Sequence, residues 1–62
     1  MRENPQNIAD DLVEQHGIAN AQILVRDTIM AALASGDNYS LSIWREVRSL
    51  LLARQHSAEN AG

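Results

Sequence analysis

Two glycines, Gly17 and Gly36, divide the chain into three stretches in which apolar residues recur at helical spacing. Glycine adopts a positive φ without steric cost, so it often follows the last residue of a helix. The two breaks therefore predict an all-α domain of three helices. A chain of 62 residues has room for one small hydrophobic core, and we expect a single domain over residues 1–62.

Capping residues predict where the helices begin and end. Asn4 and Pro5 are typical of a helix start, because the asparagine side chain accepts a backbone N–H and proline fits the first turn. Asn20 is a possible cap for the second helix, and Asp37 and Asn38 are both candidate caps for the third. We predict helices over residues 5–16, 19–35 and 39–55, followed by a frayed polar tail over 56–62.

The apolar residues of the second and third helices predict both a core and a second surface. The predicted core faces are formed by Ala21, Val25, Ile29 and Ala32 in the second helix and by Ile43, Val47, Leu50 and Leu51 in the third. A helix that is apolar on two sides is covered on two sides. The leftover residues and their arginine edge form the predicted interface: Ile23, Met30, Leu41, Arg45, Arg48 and Leu52. Trp44 is predicted to be a largely buried core residue, with an interface anchor as the alternative.

Charge and hydropathy argue against several partners. The formal net charge is −3 and no lysine is present, which disfavours nonspecific binding to nucleic acid or anionic lipid. No stretch approaches the roughly 20 apolar residues that cross a bilayer, and the first residues lack the pattern of a signal peptide. We therefore expect a cytoplasmic protein that does not contact a membrane.

No group of residues in the sequence predicts catalysis, and no cysteine is present. His16 lies just before Gly17, where the helix dipole and the last carbonyls account for a histidine. Asp10 and Glu14 are four residues apart, but they supply too few oxygens for a cation site. A core this small leaves little room for an apolar pocket of several hundred Å³. We predict no enzyme activity, cofactor, metal site or small-molecule ligand.

Three short motifs occur near the predicted helix ends and in the third helix: His16-Gly17, Gly36-Asp37 and Trp44-Arg45-Glu46-Val47. Their spacing resembles that of a group of short proteobacterial proteins of unknown function with an H-G, G-D and W-x-x-V pattern. The resemblance covers roughly residues 8–51. It implies the same three-helix layout and no particular activity.

These features predict a small helical protein–protein interaction module, either a homodimer or an adaptor for another protein. Burial of the predicted interface contributes about 25 cal/mol per Å² of apolar surface, a meaningful increment for a small core. The alternative is a helical nucleic-acid-binding regulator that directs the arginines of the third helix at phosphate. Those arginines are Arg45, Arg48 and Arg54.

Overall fold

The computed structural model describes residues 4–60, with side chains through Ser57. Three helices follow one another: α1 (Pro5–His16), α2 (Ile18–Ser35) and α3 (Asn38–Asn60). No strand occurs within this range, so the prediction of an all-α domain with three helices is confirmed. None of the described helices combines the length and the hydropathy needed to cross a membrane.

Gly17 alone connects α1 to α2. It has φ 80° and ψ 162°, a combination that only glycine adopts readily. The positive φ agrees with the glycine break in the sequence, but ψ is extended, so Gly17 is not in the left-handed helical conformation and the chain continues directly into α2. Asn20 lies in the first turn of α2 and is not its cap. Its side-chain amide donates to the carbonyl oxygen of His16 at 3.3 Å.

The turn between α2 and α3 has the hydrogen bonds of a Schellman motif. Gly36 has the predicted positive φ, at 71°, and its N–H donates to the carbonyl of Leu33. The next N–H, from Asp37, donates to Ala32 at 3.0 Å. The Asp37 carboxylate then caps α3 by accepting from the Ser40 N–H at 3.1 Å and from its hydroxyl at 2.7 Å.

α3 continues well past its predicted end at residue 55 and reaches Asn60. The predicted frayed tail is therefore wrong for residues 56–60, while residues 61–62 lie outside the described residues. The sequence contains neither glycine nor proline between Tyr39 and Asn60. Because no residue in this stretch disrupts helical backbone geometry, α3 extends beyond the last apolar residue of its core face.

The three helices pack around one core, and each contacts the other two. Among the residues whose side chains the structure describes, eight apolar ones are buried: Ala9, Ala21, Val25, Ile29, Ala32, Leu41, Val47 and Leu51. The predicted stripe of α2 is entirely among them. Trp44 is half-buried and packs against this cluster, which corrects the expectation that it is largely enclosed.

Leu41 is also a core residue, with 8% of its surface exposed, and its predicted place on a second surface is wrong. α3 packs against α1 and α2 together, so its buried face is wider than one stripe. Leu41, Trp44 and Val47 follow one another at three-residue spacing along that face. Leu50, by contrast, is only half-buried and lines a shallow surface cavity together with Pro5 at the start of α1.

Candidate interaction surface

An open apolar groove of about 510 Å³ lies between α2 and α3. Its exposed apolar residues are Ile23 and Met30 of α2, at 49% and 62% exposure, and Leu52 of α3, at 48%. We expected too little room for an apolar pocket of this size. The groove has the volume because it lies between the outer surfaces of two helices and not inside the core.

The structure brings together four of the six residues of the predicted interface. The residues that line the groove are Ile23, Met30, Arg48 and Leu52. Arg45 is exposed on α3 but does not line the groove, and Leu41 is buried in the core. These four residues come from both helices, so the groove depends on how α2 and α3 pack against each other.

Two arginines supply the positive charge of the groove. Arg26 of α2 and Arg48 of α3 both line it. The Nη2 atom of Arg26 lies 3.5 Å from Oδ1 of Asp27, and the two side chains are 69% and 63% exposed. An ion pair this exposed contributes little stability. Both charges of the pair therefore remain accessible to a partner.

A hydrogen bond between two glutamines connects the two walls of the groove. The Nε2 atom of Gln22 in α2 donates to Oε1 of Gln55 in α3 at 2.5 Å. Gln22 also lines the groove, and both side chains are partly buried. This contact links α2 to α3 in addition to the apolar packing between the two helices.

Sequence reasoning missed Arg26 as a residue of this surface. Arg26 lies three residues after Ile23 and four before Met30. Residues at these spacings share one face of a helix, so the signal was present in the sequence. Its charge separates it from the apolar residues of α2, and its place on α2 separates it from the arginines of α3.

The structure does not gather the other polar candidates into a chemical site. His16 is exposed at the end of α1, and Asp10 bonds to Arg54 of α3. Among the described residues, no three histidine or acidic side chains lie close enough together to hold a metal ion. Arg54 contacts α1 whereas Arg48 lines the groove beside α2. These two arginines of α3 therefore lie beside different helices.

No protein-family model, curated protein or solved structure matches this chain.

Proposed function

We propose that this chain is a helical protein–protein interaction module that associates with a second copy of itself through the α2–α3 groove. The observation that carries the proposal is the exposure of Ile23, Met30 and Leu52 along one groove. Single exposed apolar residues are ordinary on a protein surface, but three large ones that line one groove offer a partner a shared apolar surface. A second copy that covers the groove removes these three side chains from water.

The composition of the core supports association. Three of the eight buried residues are alanines, and the largest fully buried side chains are Leu51, Val25 and Val47. Few large side chains are thus removed from water within one chain. Apolar burial contributes about 25 cal/mol per Å², so covering the groove adds stability that depends on protein concentration.

Sedimentation equilibrium over a range of protein concentrations tests the proposal. We expect the parent chain to form dimers and the variant carrying Met30→Glu and Leu52→Glu to remain monomeric, because each glutamate places a charge on the apolar surface. Circular dichroism of the variant is expected to retain the helical signal, since both positions are exposed in one chain.

Leu24→Glu is the control for a glutamate placed on α2 outside the groove. Leu24 is an exposed apolar residue of α2 that does not line the groove, and its replacement is expected to leave the dimer intact. A parent chain that stays monomeric throughout the concentration range overturns the proposal. A control that dissociates as fully as the groove variant also overturns it, because the contact surface then lies elsewhere.

A further inference from the structure

We infer that the two copies place their α2 helices antiparallel, with the two-fold axis passing between Arg26 and Asp27. This inference rests on the proposed self-association and specifies its geometry. The surface that carries it is an exposed stripe on α2, which we call the α2 stripe. It consists of Ala19, Ile23, Arg26 and Met30, which line the groove, and of Asp27 and Ala34, which are exposed on α2 outside it.

The α2 stripe pairs residues of similar character about its midpoint, except that the two central residues carry opposite charges. On either side of the midpoint between Arg26 and Asp27, Ile23 is matched by Met30 at the same distance along the helix. The outer ends of the stripe are both alanines. At 100° per residue, all six side chains fall within an arc of about 100°, so a single partner helix can contact the whole stripe.

A two-fold interface pairs a surface with its own copy, so that surface must be complementary to itself. When residue i contacts residue j of the partner, residue j also contacts residue i of the partner. An axis at the midpoint of the stripe places Ile23 opposite Met30 of the partner subunit, and it repeats this apolar contact on the other side. The small alanines at both ends face each other across the interface without steric hindrance.

Charge selects this register over its neighbours. An axis at the midpoint places Arg26 opposite Asp27 of the partner subunit, and the symmetry forms this pair twice. An axis through Arg26 would instead bring two arginines together, as would a parallel arrangement of the two helices, and like charges in contact are unfavourable. Because the pair within one chain is mostly exposed, both side chains are available for the contact between subunits.

Charge exchange between two variants tests the register. Arg26→Asp places two aspartates in each pair, and Asp27→Arg places two arginines there. We expect either variant alone to associate about tenfold more weakly than the parent. An equimolar mixture is expected to form heterodimers in preference to both homodimers, because aspartate then faces arginine in both pairs.

Asp11→Arg is the control for a nonspecific effect of charge. It changes the net charge by the same amount as Asp27→Arg, but it lies exposed on α1, which does not line the groove. Mixed with the Arg26→Asp variant, it is expected to show no such preference for heterodimers. A parent that dimerises while the first mixture shows no preference overturns the register and leaves the proposed function intact. A monomeric parent overturns both.

Cysteine crosslinking gives a second measurement that does not depend on the charge variants. The chain has no cysteine of its own. We expect an oxidised mixture of Ile23→Cys and Met30→Cys chains to form the mixed disulfide faster than either variant forms its own. Equal rates for the mixed and unmixed products would overturn the antiparallel register.

Discussion

Arg54 of α3 donates a hydrogen bond to the carboxylate of Asp10 in α1, which lies 44 residues earlier in the chain. The next residue, Gln55, accepts a hydrogen bond from Gln22 of α2. One turn of α3 thus connects to both other helices. Both contacts lie near residue 55, where the sequence predicted the helix to end.

We expect the contact between Asp10 and Arg54 to contribute little to the free energy of unfolding. Both side chains are partly or largely exposed, and surface ion pairs contribute about 0–1 kcal/mol. A double-mutant cycle with Asp10→Ala and Arg54→Ala, measured by urea unfolding, is expected to give a coupling energy in this range that decreases with added salt. Asp11→Ala serves as the control and is expected to show no coupling to Arg54→Ala.

Local signals in the sequence were sufficient for most of the helix boundaries. The side chain of Asn4 caps α1 by accepting from the Gln6 N–H at 2.9 Å, as its place before Pro5 predicted. Gly36 ends α2 as predicted. Asp37, one of the two candidate caps, accepts the Ser40 N–H at the start of α3. Each of these signals acts through neighbouring backbone groups, and such short-range interactions can be recognised without knowledge of the fold.

The buried face of α3 could not be predicted with the same success. Its orientation depends on two neighbours at once, since α3 packs against both α1 and α2. A single apolar stripe chosen from the sequence placed Leu41 outside the core, although it is buried. The same dependence explains the groove, because its shape arises from the packing of α2 against α3 and not from either helix alone.

The different positions of Leu41 and Leu52 predict different responses to truncation. Leu41→Ala is expected to reduce the free energy of unfolding by about 2–4 kcal/mol, since buried leucines leave a cavity when shortened. Leu52→Ala is expected to change the stability of the monomer by no more than about 0.5 kcal/mol. Thermal unfolding at several protein concentrations measures both effects.

Dependence on concentration distinguishes the core residue from the interface residue. We expect the stability loss of Leu52→Ala to appear only at concentrations where the parent is dimeric, whereas that of Leu41→Ala is expected at every concentration. A stability loss for Leu52→Ala that is as large in the dilute protein as in the concentrated protein would place Leu52 in the core.

The two glycines are expected to differ in the residues that can replace them. Gly36 has φ 71° and ψ 23°, which asparagine tolerates, whereas ψ at Gly17 is 162°, a region closed to other residues. A Cβ at either position meets no atom within 4 Å, so any cost comes from the backbone. We expect Gly36→Asn to be milder than Gly36→Val, which costs more than about 1 kcal/mol.

At position 17, asparagine and valine are expected to reduce the free energy of unfolding by similar amounts. Unfolding by urea of the four single variants measures the comparison. Equal costs for asparagine and valine at position 36 would show that this residue does not keep its left-handed conformation in solution.

Asp37 is expected to make the stability of α3 depend on pH in the acidic range. The hydrogen bond from the Ser40 hydroxyl, followed by that from the Ser40 N–H, holds the pKa of the Asp37 carboxyl below its ordinary value. A carboxyl whose pKa is lowered by folding stabilises the folded state at pH values above the unfolded pKa of about 3.9. This stabilisation is lost as the pH falls through the lower pKa of the folded state.

Asp37→Asn isolates this effect, because asparagine can still cap the helix but carries no charge. We expect the parent to melt at a higher temperature than the variant at neutral pH, and the difference to shrink as the pH falls below about 4. Ser40→Ala removes the larger of the two causes, so NMR titration of the Asp37 carboxyl carbon is expected to show its pKa rising toward the ordinary value. A difference in melting temperature that stays constant down to strongly acidic pH would contradict the role of the Asp37 charge, because a carboxylate that stabilises the folded state must lose that effect when it is protonated.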